Sequence, residues 1–301
     1  MKKSNTLSIK NKFLIHLKPK TKINLFVNKK IVYKNFYEEI KILTNRLYIQ
    51  TKRRPSNAIT SIIQPLLWLL LFGALFQNAP INLFEGHKIR YGEFLSPGIL
   101  IFTAFTSSIN AGLPIIFDRE FGFFNRLLIS PLIYKNTLII SSIIYIWGIT
   151  IIQIFIIIIF SGYWFKNPKE INEILAIISI STFIVTNIAT ISICYAFILP
   201  GHIEFIALTL IINLPTLFSS TALAPLSFMP YWLQIIACLN PLTYGIEIVR
   251  HIYLSNNLFI NKNIINTIWF SLHVNQSTYL LILINILSFI LVNKIIKYKY
   301  D

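Results

Sequence analysis

Long segments without charge are the feature that most constrains how this chain can fold. A bilayer core about 30 Å thick needs about 20 helical residues to cross it, and six charge-free runs are long enough. The runs free of Asp, Glu, Lys and Arg cover residues 55–84, 94–117, 136–165, 174–203, 205–246 and 263–293. Buried helices of a soluble protein are the alternative, but charged residues make up only 13% of the 301, too few to cover a soluble globule of this size. The pattern predicts an all-α integral membrane protein.

Six transmembrane helices account best for these runs. We expect them near residues 58–77, 94–116, 137–162, 174–199, 205–226 and 278–296. The fifth run is too long for one span, and its prolines, including Pro230 and Pro241, would break a continuous helix. Two full spans there would put the basic C-terminal tail on the opposite side. One span followed by a re-entrant segment fits the charge distribution better.

The basic residues are concentrated towards the chain ends. Residues 1–57 carry 15 of the 27 Lys and Arg residues, and Lys294, Lys297 and Lys299 lie in the tail. The formal charge of +16 could indicate nucleic-acid binding, but the positive-inside rule explains this distribution more simply. We therefore expect no nucleic-acid partner, and we expect both termini and the loop at 118–135 on the stromal or cytosolic side.

The N-terminal region divides into two parts before the transmembrane domain at 55–301. Residues 1–32 are rich in Lys and Asn and are predicted to be a basic, disordered arm. Residues 33–54 are predicted to form an amphipathic helix at the membrane interface. Its apolar stripe consists of Tyr33, Phe36, Tyr37, Ile40, Leu43 and Leu47. A membrane anchor and a coupling element both remain open as roles for this helix.

Several chemistries are missing from the sequence. No glycine is followed by lysine, which excludes a phosphate-binding P-loop of the Walker type. The histidines are scattered, no G-x-S-x-G occurs, and Cys194 and Cys238 define no metal site. We expect no catalytic residue, no metal and no cofactor on this chain. The expected spans have no carboxylate, His or Lys at mid-membrane, which disfavours a proton-coupled carrier. Their polar residues are amides, which either join helices or contact substrate.

Two motifs lie in the segments that follow the second and fifth spans. The first runs from Phe117-Asp118-Arg119-Glu120-Phe121-Gly122 through Arg126 to Ser130-Pro131. The second contains Met229-Pro230-Tyr231-Trp232, then Asn240-Pro241-Leu242-Thr243-Tyr244 and Arg250. In both motifs, in their order and in the six-span layout, residues 35–296 resemble the ABC-2 type permeases, the membrane subunits of ABC exporters. The composition, rich in Ile and Asn, is similar to that of plastid-encoded members.

For the first motif, the resemblance implies a coupling helix that docks on a separate nucleotide-binding ABC ATPase subunit, which would hold ATP and Mg. The implied docking residues are Asp118, Arg119, Glu120, Gly122, Arg126, Ser130 and Pro131. Charges of mixed sign on the positive side independently agree with docking, and an ordinary solvated loop is the alternative. Phe123-Phe124-Asn125 stands where the family often has Thr-Leu-Glu, so aromatic anchoring would replace a carboxylate contact.

For the second motif, the resemblance implies a folded segment on the far face of the membrane. The residues of this external cap or gate are Pro230, Trp232, Asn240, Pro241, Tyr244 and Arg250. Simple packing is the alternative role. The resemblance also implies pairing with a second copy or with a related permease.

The sequence thus predicts the permease subunit of an ATP-driven exporter, itself not an enzyme. Its substrate is unidentified, and the uncharged walls of the spans favour an apolar or amphipathic one. We expect a multi-pass protein of a plastid membrane or of a bacterial inner membrane. A non-transporting membrane scaffold or assembly factor is the alternative, because it too would have amphipathic and aromatic segments without catalytic groups.

Overall fold

The fold is almost entirely helical. The computed structural model describes residues 29–53, 55–76, 91–129, 136–164, 171–254, 263–266 and 271–300. The helices are α1 (Lys29–Arg53), α2 (Ser56–Leu75), α3 (Tyr91–Ile109), α4 (Leu113–Glu120), α5 (Phe123–Ile129), α6 (Asn136–Trp164), α7 (Ile171–Ile198), α8 (His202–Phe218), α9 (Tyr231–Leu239), α10 (Pro241–Leu254) and α11 (Val274–Tyr300). A short hairpin precedes α11, in which β1 (Asn263–Asn266) pairs antiparallel with β2 (Ser271–His273). Apart from this hairpin, the predicted all-α class is confirmed.

Four helical segments in the described part of the chain are long and apolar enough to cross a membrane. They are Tyr91–Glu120, which joins α3 and α4, together with α6, α7 and α11. The pair α9 and α10 would make a fifth if it counts as one span, although it bends by 86°. The apolar stretches of α2 and α8, Ile59–Leu75 and His202–Phe218, are shorter. Each reaches about 26 Å, slightly less than a 30 Å bilayer core.

The break in the long fifth run lies at Asn240 and Pro241. Asn240 has an extended backbone and accepts a hydrogen bond from the Leu242 N–H on its own Oδ1 at 3.0 Å, so it caps α10. Pro241 lacks an N–H, which prevents α9 from continuing and suits the first turn of α10. α8 ends at Phe218, eight residues before the predicted end of the fifth span.

Helix α1 begins at Lys29, four residues before its predicted start, and packs lengthwise against the first part of α6. Leu43 and Leu47 of the predicted stripe are buried, whereas Tyr37 is 65% exposed. Residues 1–28, most of the predicted disordered arm, lie outside the described residues.

Helix α3 forms the centre of the core. Nearly all of its side chains are buried because α2, α6, α7 and α10 surround it, as expected for a helix that is apolar on every side. At Gly98 the backbone of another segment comes very close, since a Cβ there would lie 2.6 Å from the carbonyl oxygen of Ala222. The segment after α8 therefore packs its backbone directly on α3.

Candidate functional site: the α4–α5 elbow and the α9–α10 cap

The α4–α5 elbow, residues 113–129, contains the first motif and starts at a tight turn against α7. The N–H of Gly112 donates to Ser192 Oγ at 3.0 Å, and Ser192 Oγ donates to the carbonyl of Ile109 at 2.6 Å. A Cβ at Gly112 would lie 2.5 Å from the carbonyl oxygen of Ser192. Glycine at this position lets the chain turn while it remains in contact with α7.

Asp118 connects the elbow to α1. Its carboxylate forms a partly buried ion pair with Arg46, and the Arg46 guanidinium carbon lies 4.2 Å from the ring centroid of Phe123. The same arginine therefore contacts α4 through charge and α5 through a cation–π interaction. Three helices, α1, α4 and α5, meet at this one side chain.

Arg119 and Glu120 connect the elbow to the corner between α7 and α8. Arg119 donates to the carbonyl of Ala196 in the last turn of α7, where helix carbonyls lack partners within the helix. Glu120 accepts hydrogen bonds from the His202 N–H at 2.6 Å and pairs with His202 Nδ1 at 2.5 Å. Glu120 lies outside the second predicted span, which ends at residue 116. Its hydrogen bonds with His202, above all the one from the backbone N–H, hold the pKa of the Glu120 carboxyl below its ordinary value.

The outer side of the elbow carries different residues. Phe121 is 78% exposed, and Arg126 is exposed as well. Gly122 has a φ of 71°, in the left-handed region that favours glycine, and turns the chain from α4 into α5. Phe124 points inward, with its ring 5.8 Å from that of Phe197.

The predicted docking residues therefore separate into groups. Asp118, Arg119 and Glu120 are paired with the protein's own helices, while Gly122 forms the turn and Arg126 faces outward. Ser130 and Pro131 lie outside the described residues. Phe121 is the prominent outward group, and it was not among the candidates. The sequence signal that could have identified Phe121 is its position directly before Gly122, the glycine that turns the chain after α4.

The α9–α10 cap, residues 226–254, contains the second motif. Asn240 donates from Nδ2 to the carbonyls of Thr216 at 3.2 Å and Ser219 at 3.3 Å, which joins the break to the end of α8. Tyr244 Oη donates to the carbonyl of Cys238 at 2.6 Å, so α10 is also bonded back onto α9. Pro230 and Trp232 are exposed at the start of α9. Their side chains face away from the core.

Arg250 is the buried charge of the cap. Its guanidinium pairs with Glu247, donates to the carbonyl of Thr221 at 2.5 Å, and lies 3.7 Å above the ring centroid of Phe94. It thereby connects α10 to α3 and to the segment after α8. Glu247 and Phe94 were not predicted, although Glu247 precedes Arg250 by one helical turn, a spacing that the sequence displays.

The structure does not bring the two motifs together. The cap contacts α3 at Phe94, near the start of that helix, and the elbow follows its end at Ile109. The 19 residues of α3 reach about 28 Å, close to the thickness of a bilayer core. Within the described residues, no group of three or more His, Cys, Asp or Glu side chains could hold a metal ion.

A family model described as ABC-2 type transporter matches residues 38–254. The chain belongs to the ABC-2 type transporter family, which makes it an integral membrane protein of the transport-permease class and confirms the resemblance seen in the motifs. Over 287 residues it is 44% identical to the "Putative transport permease ycf38" of Porphyra purpurea, with 95% of this chain and 97% of that protein covered. The protein of the same name from Cyanophora paradoxa is 45% identical over 262 residues, covering 87% and 90% of the two chains.

Proposed function

We propose that this chain is the permease subunit of an ATP-driven exporter, with ATP and Mg bound by a separate nucleotide-binding subunit. The observation that carries the proposal is the α4–α5 elbow, which is bonded to α1, α7 and α8 while it exposes Phe121 and Arg126. A segment fixed on one side and exposed on the other can receive a force from a partner and pass it to the helices. Membership of the ABC-2 family supports this role.

The proposed mechanism is transmitted motion. When ATP closes the nucleotide-binding subunits, they push the elbow, and the contacts of Arg119 and Glu120 pass the displacement to α7 and α8. The spans then tilt and switch access between the two sides. The cap acts as the external gate, with Arg250 holding it against α3. The charged side chains of the spans lie near the helix ends, and the uncharged middle parts favour an apolar or amphipathic substrate.

The proposed topology has six spans, formed by α2, α3, α6, α7, α8 and α11, with the α4–α5 elbow outside the bilayer. The α9–α10 pair is then re-entrant, and both termini lie on the stromal or cytosolic side of a plastid membrane. The concentration of basic residues near the chain ends supports this orientation.

Single cysteines introduced at Tyr37 and Lys299, in a chain without Cys194 and Cys238, test this orientation by their labelling with a membrane-impermeant maleimide. Labelling of the two from opposite sides would contradict an even number of spans.

We also propose that the permease pairs with a second copy or with a close relative. Helix α8 carries a broad exposed apolar face that includes Leu210, Ile211 and Leu214. Two such faces could bury one another within the bilayer and enclose a path. Disulfide crosslinking between cysteines placed on this face, measured in membranes, should give a dimer, and a chain that stays monomeric in that assay contradicts the pairing.

Affinity purification from native membranes tests the central proposal. We expect an ATP-binding chain to copurify, and its ATP hydrolysis to respond to the permease. Replacing residues 118–132 with a flexible linker should abolish the complex while leaving membrane insertion intact. A partner that still binds and still responds would show that the docking site is wrong. A scaffold or assembly factor, by contrast, would show no ATP-dependent movement of a label on α8.

A further inference from the structure

Three aromatic rings form a stack, in which the last ring is tilted by 38°, from the tip of the elbow to the first residue of α8. The rings of Phe121 and Phe117 lie 6.0 Å apart and within 15° of parallel. The ring of Phe117 lies 5.1 Å from that of His202, which begins α8 and is bonded to Glu120. A displacement of the Phe121 ring would therefore be passed through the Phe117 ring to His202 at the start of α8.

The backbone fixes Phe121 at the exposed end of this stack. Its N–H donates to the carbonyl of Phe117 at 3.0 Å, and the Gly122 N–H donates to the carbonyl of Arg119 at 3.2 Å, which closes α4. The left-handed turn at Gly122 follows directly. Charged residues flank the ring in the sequence, Glu120 before it and Arg126 after it, which favours a position in water over one in lipid. Aromatic side chains are enriched where one protein binds another.

The charges around the elbow define the partner's chemistry. The carboxylate of Asp118 is paired with Arg46, and that of Glu120, although exposed, is paired with His202, whereas Arg126 is exposed at the outer side. The outer surface therefore offers a ring beside a positive charge, which fits an apolar groove bordered by carboxylates.

We propose that Phe121 is the anchor held by the nucleotide-binding subunit, in an apolar groove bordered by carboxylates, and that Phe117 and His202 pass its displacement to α8. The proposal rests on the proposed function and assigns separate tasks to neighbouring residues: Phe121 and Arg126 bind, whereas Phe117, Asp118, Arg119 and Glu120 position and transmit. Helix α8 is suited to respond because, among the described helices of its own chain, it contacts mainly α4 and α3, so a push on α4 reaches it directly.

Photocrosslinking in native membranes tests the anchor. Phe121→p-benzoylphenylalanine should give an adduct with a chain that azido-ATP also labels, whereas the same replacement at Phe124, whose ring packs inward, should give none. Adducts from position 124 without any from position 121 would overturn the assignment. If wild-type membranes yield no azido-ATP-labelled chain with the permease, the proposed function itself fails.

Two substitutions separate binding from transmission. Phe121→Ala should weaken binding of the copurified ATPase about 30-fold, the effect of losing a central interface residue. Phe117→Leu keeps apolar volume at the middle of the stack, so binding should stay within about threefold. The ATP-dependent movement of a fluorescent label on α8 should nevertheless disappear.

Tyr163→Ala is the matched control, because Tyr163 is 87% exposed at the opposite end of α6 from the elbow. It should change neither binding nor movement. Thermal unfolding of each purified variant separates misfolding from a specific loss. Unchanged binding of Phe121→Ala, or α8 movement that persists in a well-folded Phe117→Leu chain, would refute the proposal.

Discussion

The hydroxyl of Tyr48 on α1 occupies the space that a side chain at Gly148 on α6 would need. Beside this contact, the rings of Tyr48 and Tyr145 meet edge to face at 5.3 Å, and the hydroxyls of Thr51 and Tyr145 are hydrogen bonded. These contacts dock the C-terminal half of α1 onto the first half of α6. Because α1 also holds the elbow through Arg46, the position of α1 affects the proposed docking surface.

Gly148→Ala should therefore destabilise the protein, by about 1–3 kcal/mol, because the new methyl group overlaps the Tyr48 hydroxyl. Thermal unfolding in detergent measures the effect. Tyr48→Phe should recover part of the loss in the double variant, since the nearest remaining ring carbon, Cζ, lies 3.3 Å from the new Cβ. If Tyr48→Phe gives no recovery, the overlap is not the cause of the destabilisation.

Gly122→Ala should cost about 1 kcal/mol for a purely conformational reason. The left-handed φ at Gly122 strains any residue with a Cβ, although no atom lies within 4 Å of the position that this Cβ would take. Gly122→Asn should cost less, because Asn tolerates this region. Gly162→Ala, inside α6, is the control and should be neutral or stabilising. Equal effects of Ala at positions 122 and 162 would contradict the explanation.

The contact between Glu120 and His202 should make stability depend on pH. Because the pKa of Glu120 is lowered in the folded protein, the stabilisation is fully present above the ordinary carboxyl pKa. It is lost as the pH falls through the lowered pKa and the folded carboxylate takes up a proton. Glu120→Gln should lower the melting temperature at pH 7 and reduce its further fall in acid. Glu38→Gln, at an exposed glutamate of α1, should leave both unchanged.

Arg250→Leu should destabilise the cap by about 3–5 kcal/mol, since it leaves the largely buried carboxylate of Glu247 without its cation. The double variant Arg250→Leu/Glu247→Leu should be less damaging than the single variant, because both buried charges are removed together. Arg126→Leu, at an exposed arginine, should change thermal stability little. A double variant less stable than Arg250→Leu alone would indicate that Glu247 has a separate structural role.

The interruption of the long fifth run illustrates how local chemistry makes a feature predictable. Pro241 cannot continue a helix and Asn240 can cap the next one, so the sequence alone predicts a break where the structure has its 86° bend. The end of α8 at Phe218 is harder to predict from the sequence. The charge-free run continues beyond it to residue 246, and the helix stops where the following backbone packs on Gly98 of α3.

The charged residues of the elbow, by contrast, have contacts that local sequence chemistry does not predict. Asp118, Arg119 and Glu120 stand out in the sequence as charged residues beside a span, and surface docking was a reasonable prediction for all three. Their partners, Arg46, Ala196 and His202, lie more than 70 residues away along the chain. Only the packing of α1, α7 and α8 around α4 brings these groups within bonding distance, so the pairing of the charges within the chain could not be predicted.

The sequence by itself determined that this chain is helical and belongs in a membrane, because solvation acts on each segment separately and long apolar runs exclude water wherever they lie. It also determined the break at Pro241, since proline acts on its own backbone, although Pro65, Pro97 and Pro215 lie inside helices. The tertiary structure decided which side chains of the two motifs face inward. That choice depends on contacts between distant segments, such as Arg250 over Phe94, which no local pattern specifies.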